Sequence, residues 1–348
     1  MSWSAPDRPA GQPEPAPAAM PPSDLKFDTV PYQPDGGFSQ AGFGMLLALS
    51  MVAGVGLGWL ASFIGQWFYL ILVFPIAIGL VLGFVGVLGI KLGKVRKPLL
   101  GGVAGFFGGC VAMVGMQYFD YLRFEREELP RIRDELIREM RVHRPARGQP
   151  VPEPTLDEVR QAIGVENFFD YVDSVAEQGV KLTRAGRGGG INLGYVGTYI
   201  YWAVELLIVA GLAFLIGASA ASEPFCQECN LWKESKKLGT FQAPPGQPPT
   251  AVAEVLTSGA VGRLAEFQPA PEGGNLLLTA AVCPHCRSAG YVDVKLEHIT
   301  VNSKNETQTN QLAHVTYPGA VLAVFEMLFT ARLHAPDEPK TQDQPEQA

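Results

Sequence analysis

No Asp, Glu, Lys or Arg interrupts the chain from Gly36 to Ile90, a stretch of 55 residues, and a second uncharged stretch of 22 runs from Pro98 to Phe119. A bilayer crossing takes about 20 mostly apolar residues, so the first stretch holds two membrane helices and the second holds one. We place helix one over about Phe43 to Phe63, helix two over Trp67 to Ile90 with Pro75 inside it, and helix three over Leu99 to Tyr121. A fourth crossing spans Asn192 to Ala220 and contains one acid, Glu205. Buried helices of soluble proteins can also be apolar on all sides, but uncharged runs this long are the signature of a membrane.

Between the third and fourth crossings the pattern turns amphipathic. In LRFEREELPRIRDELIREMRVHR, Leu129, Ile132, Leu136 and Met140 fall on one helical face and charged residues occupy the others. TLDE at Thr155 to Glu158 has the spacing of a capping box and opens a second helix. Phe168, Phe169, Val172, Val175 and Ala176 form the expected buried face of a third. AGRGGG at 185–190 closes this region as a flexible link. It lacks the preceding strand and the Gly-Lys-Ser/Thr ending of a phosphate loop.

After the fourth crossing the period shortens to two. NLLLTAAV, YVDVKLEHITV and QLAHVTY read as strands, with helices expected at Ala251 to Phe267 and Gly319 to Leu333. The expected fold is therefore a membrane all-α unit of four transmembrane helices, a small helical extramembrane domain and an α+β zinc-ribbon-like C-terminal domain. The boundaries are a disordered Pro/Ala-rich arm (1–41), a three-helix membrane unit (42–121), the helical domain (122–190), the fourth helix (191–220), the α+β domain (221–334) and a disordered tail (335–348). The arm lacks the basic start and apolar centre of a signal peptide.

Composition refines this picture at two points. The net charge of −7 and pI near 5.4 argue against nucleic acid, which rewards a concentrated basic surface. Small residues recur four apart in the membrane helices: Ser50, Gly54, Gly58 and Ser62, then Gly79 and Gly83, then Gly101, Gly105 and Gly109. Such ridges let backbones approach in lipid, where joining helices brings little hydrophobic gain. Internal packing is the first reading, and homo-oligomerisation or a glycine-lined pore the second. Cys110, beside the third ridge, reads as a small apolar filler.

The chemistry lies in four cysteines, paired as CQEC (Cys226, Cys229) and CPHC (Cys283, Cys286). Two-residue spacing lets both sulfurs of one turn reach the same ion, and two such turns complete a tetrahedral thiolate zinc site. Trp232 is placed to cover one side. The 53 intervening residues exceed the ordinary ribbon spacing and imply an inserted linker and helix. CPHC also resembles the active-site sequence of thioredoxin-like disulfide oxidoreductases, whose first cysteine sits at a helix N-terminus. Here RSAGYVDVKLEHI follows, a turn and a strand. A pair of structural disulfides is the third alternative. His285, His298 and His314 are surplus to a four-thiolate site. Neither HExxH, GxSxG nor a Walker motif occurs, and no catalytic residue is assigned.

Glu205 within a membrane helix is a functional candidate by default, because such a charge is costly unless paired. The competing reading is a neutral carboxyl hydrogen-bonded to Gln117, Tyr199 or Tyr201, tying the fourth helix to the bundle. Basic residues near the membrane ends number eight on the terminal side and nine on the other, which decides no orientation. A thiolate zinc site favours a reducing compartment, placing both termini in the cytoplasm.

The run YIYWAVELLIVAG followed by EPFCQECNLW, together with glycine-rich helices ending FDYLRF, resembles uncharacterised multi-pass bacterial membrane proteins with C-terminal cysteine pairs. The resemblance implies a bacterial inner-membrane location and carries no activity. The expected function is a membrane scaffold or assembly component with a structural zinc, its partners being the bilayer, another protein and further copies of itself. The rivals are a membrane-bound thiol oxidoreductase using CPHC and a small transporter or channel subunit using Glu205.

Overall fold

A computed structural model describes residues 24–65, 72–143, 153–182, 191–242, 248–267, 274–287, 290–302 and 305–333. The first 23 residues of the expected arm, the expected tail and the AGRGGG link lie outside the described residues. The chain divides into two units, one of residues 34–223, the other combining the N-terminal segment up to Gln33 with Pro224 onwards.

A two-residue strand β1 (Val30–Pro31) belongs to the second unit. The first unit then begins with helices α1 (Gln40–Gly65), α2 (Val73–Gly93) and α3 (Pro98–Arg123). It continues through α4 (Leu129–His143), α5 (Leu156–Ile163), α6 (Phe168–Gln178), the short strands β2 (Lys181–Leu182) and β3 (Ile191–Asn192), and α7 (Gly194–Ala221). Four of its helical runs are long and apolar enough to cross a membrane, those of α1, α2, α3 and α7. Helix three does not stop where its charges begin. A π turn, Phe124–Glu128, joins α3 to α4 without a break. Pro130 supplies the reason: it has no N–H to donate and its ring crowds the carbonyl four residues back. The helix widens there, and the Leu129 N–H reaches the Phe124 carbonyl instead.

Helices α1 and α7 each pack against both α2 and α3, which closes a four-sided bundle. The glycine ridges line these seams. A Cβ added to Gly58 would stand 2.6 Å from the Ala112 carbonyl oxygen of α3, and one added to Gly101 would stand 2.7 Å from the Gly217 oxygen of α7. Gly109 likewise faces the Ala210 backbone, and Gly79 faces Val209. Ala61, Ile78, Leu82, Ala112, Met113 and Val209 fill the interior.

The outer helices follow the sequence reading in part. Thr155 and Glu158 form the expected capping box at the start of α5, and Asn167 with Asp170 forms a second at α6. On α6, Ala176 is buried, but Phe169 is exposed, contrary to its expected place on the inner face. One helical position is 100° from the next, so when Phe168 turns inward Phe169 cannot follow.

The second unit is α+β. Its chain-order elements are β4 (Phe225–Cys226), β5 (Leu231–Trp232), β6 (Glu234–Phe241), α8 (Thr250–Thr257), a 3-10 turn (Val261–Glu266), β7 (Leu276–Val282), β8 (Tyr291–Val301), β9 (Thr307–Pro318) and α9 (Val321–Leu333). Strands β1, β9, β8, β7 and β6 form one antiparallel sheet in that order. Alternation sends Leu278, Leu296 and Ala313, paired across three strands, to one face, and Ala280, Val294 and Val315 beside them. Val252, Leu256, Leu264 and Phe325 cover that face. The helix expected over Ala251 to Phe267 is split by Gly259, whose φ of +75° lies outside the helical range.

The assignment of residues 24–33 to a disordered arm needs correction. Val30 and Pro31 pair with Thr316 and Val315 of β9. Phe27 donates its N–H to the Gly259 carbonyl at 2.9 Å, and Gly262 donates to Leu25 at 3.0 Å. Tyr32 stacks on His314 with ring centroids 4.0 Å apart. Composition misses this because the pairing is with residues almost 300 positions away.

Candidate metal centre

Each cysteine pair sits on a reversal of the chain. Cys226 ends β4, Cys229 lies in the following turn, and β5 returns antiparallel, pairing Cys226 with Leu231. Cys283 follows β7, Cys286 lies in the turn of residues 284–287, and β8 leads away. The residue after each second cysteine has positive φ, Asn230 at 54° and Arg287 at 45°. That left-handed step turns the chain back and lets both sulfurs of a pair face one point. Asn accepts it readily, whereas Arg is held there at a cost of about 1 kcal/mol. The Arg287 N–H closes the second turn on the Cys283 carbonyl at 3.0 Å.

All four sulfurs lie within 4.8 Å of one another, and Cys226 Sγ is 3.8 Å from Cys286 Sγ, across the two pairs. Thiolates on one tetrahedral zinc at 2.3 Å stand about 3.8 Å apart, so the donor set fits such an ion. None of the cysteines is in a disulfide. In each pair the first cysteine is buried and the second half-buried. Among the described residues no histidine joins the cluster. His285 Nδ1 is 3.6 Å from Cys229 Sγ, at the rim, while His298 and His314 lie within β8 and β9.

The thiols are electrostatically unlike. Burial raises Cys226 against an opposing backbone N–H from Cys229. Burial and hydrogen bonding among the thiols raise Cys229 to about 12. At Cys283 burial also acts upward, but the N–H groups of Cys286 and His285 point at the sulfur and bring it down to about 7. A divalent cation held by the four sulfurs would favour their thiolate forms and draw off the protons.

Two residues that sequence reading passed over brace the centre. Lys233, next to Trp232, donates to Asp293 Oδ2 and to the Tyr291 carbonyl, both at 2.8 Å. Thr316 holds the other Asp293 oxygen at 2.6 Å. Both ionic side chains are buried, so removing either partner strands a charge. This brace ties the first hairpin to the strand leaving the second. A lysine directly after the aromatic end of a cysteine hairpin was the available signal. Trp232 meets Phe225 edge-on, with ring centroids 5.1 Å apart.

Glu205 is buried in α7 and accepts a hydrogen bond from the Tyr201 hydroxyl. Of the three expected partners, Tyr201, like Tyr199, lies on α7 itself, so this particular bond joins residues of one helix. Tyr199 instead bonds Asp173 of α6.

Fold and site together define a protein with four helices of membrane-spanning length and an α+β unit bearing a cluster of four cysteines fit to hold a metal ion. Comparison with protein-family models, curated proteins and solved structures finds no match.

Proposed function

We propose that this is a multi-pass integral membrane protein whose second unit holds a structural zinc ion on Cys226, Cys229, Cys283 and Cys286, and that it serves as a scaffold or assembly component. The carrying observation is the convergence of four thiols from two chain reversals to within 4.8 Å. A closed four-thiolate shell leaves no coordination position for water, so the ion stabilises the fold and presents a rigid surface. A thiolate zinc site persists in a reducing compartment, which favours cytoplasmic termini and, with the resemblance to bacterial proteins, an inner-membrane location. A protein partner or a second copy is the expected client. Thiol exchange has less support, since Cys283 is followed by a turn at 284–287 and β8 starts at Tyr291, which leaves no room for the long helix whose N-terminus activates such a thiol.

The test uses the full-length protein purified in detergent under reducing, metal-controlled conditions. About one zinc per chain is expected, lost on chelation or in Cys283→Ser together with ordered structure in the second unit. A metal-free protein whose CPHC cycles reversibly between dithiol and disulfide would overturn the reading.

A further inference from the structure

Helix α6 lies against the ends of α3 and α7 within the first unit. Phe168 meets Tyr118 and Tyr121 of α3 edge-on, with ring centroids 5.7 and 5.9 Å away. Tyr171 packs on Tyr121 and Phe124 at 5.6 and 5.2 Å. From α7, the hydroxyls of Tyr195 and Tyr199 both donate to Asp173, at 2.6 and 3.2 Å. Helix α3 leaves the apolar zone where α7 enters it, so these tyrosines form an aromatic belt of the kind found at a membrane surface.

The neighbour of Phe168 is Phe169, 77% exposed although it is among the largest apolar side chains. Its surroundings show what surface it continues. On α3, Phe107, Val114 and Tyr118 are 51%, 58% and 45% exposed and share one outward face at spacings of seven and four. Tyr118 touches Phe168, and Phe168 touches Phe169 at 5.4 Å. Phe169 is thus exposed one residue beyond the ring that touches the Tyr118 end of that α3 stripe. Helix α6 carries Asp170, Asp173 and Glu177 and no Lys or Arg, so any hold on a bilayer has to come from apolar contact and not from attraction to anionic headgroups.

We propose that α6 is an interfacial helix whose Phe169 inserts into the boundary layer of the bilayer beside α3. This rests on the reading of α3 and α7 as membrane-spanning, which the experiment tests separately. Trifluoromethyl-phenylalanine is placed at position 169, 114 or 139 of the full-length protein in phosphatidylcholine nanodiscs. Fluorine relaxation is then compared with dissolved oxygen, which concentrates in acyl chains, and with a water-soluble gadolinium chelate. The label at 169 is expected to follow that at 114, with an oxygen effect several-fold above the gadolinium effect, whereas the label at Glu139 shows the reverse. Behaviour at 169 like that at 139 overturns the proposal alone. Protection of 169 from both reagents also overturns it, in favour of coverage by a second copy. A water-accessible label at 114 overturns the membrane reading with it.

Discussion

At the residue scale the cysteines carry the sharpest consequence. Burial and mutual hydrogen bonding keep Cys226 and Cys229 protonated at pH 7, while zinc needs thiolates. Loading at pH 7 should therefore expel both of those protons, and calorimetry in buffers of different ionisation enthalpy reads them directly. At Cys226 and Cys229 the two forms depend on pH with opposite sign, while the lowered pKa of Cys283 favours the metal-free fold as pH rises above about 7. Without metal, a raised thiol pKa favours the fold below the ordinary thiol range and loses that advantage as pH rises. With metal, affinity weakens as pH falls, because protons compete for the same sulfurs. Glu205 poses a separate question. Glu205→Gln keeps an acceptor for the Tyr201 hydroxyl and removes any charge to desolvate, so its melting temperature should equal or exceed that of the parent. An ion-driven flux lost in that variant with folding intact would instead assign Glu205 to transport.

At the scale of elements, helix packing discriminates between glycines that look alike in sequence. Gly56 and Gly58 are two residues apart on α1. A Cβ at Gly56 meets nothing within 4 Å, whereas at Gly58 it meets the Ala112 oxygen at 2.6 Å and the Met116 nitrogen at 2.9 Å, both backbone. Gly58→Ala should push α1 off α3 and lower the melting temperature by several degrees, at a cost of about 1–3 kcal/mol. Gly56→Ala should leave it unchanged or raise it, since Ala is the better helix former. Equal effects from the two would show that the seam does not control stability. The spacing of four marked both the ridges and their internal use, but not which helix each ridge meets. That assignment depends on the cyclic order of the bundle, a matter of three-dimensional neighbours.

At the scale of the whole molecule, the second unit is built from both ends of the chain. Deleting residues 1–33 removes β1 and the hydrogen bonds from Phe27 to Gly259, from Gly262 to Leu25 and from Tyr32 to His314, each worth about 1 kcal/mol. Hydrogen exchange should then accelerate in β9 and in residues 257–262, while α1 and α7 exchange as before. Unchanged protection in β9 would mean that the segment adds nothing to the fold. The four apolar helices, strands β7, β8 and β9 and the two cysteine pairs were legible in sequence because each depends on local periodicity or local spacing, whereas β6, with the polar run ESKK at its start, was not. Phe169 defeated the same method, since the face a short helix turns inward is set by its neighbours. Convergence of the cysteines, the Lys233–Asp293 brace and the seating of residues 24–33 on β9 were decided only by tertiary structure. Each joins residues about 60 to almost 300 positions apart, and a local pattern holds no record of which distant backbone or charge will lie beside it.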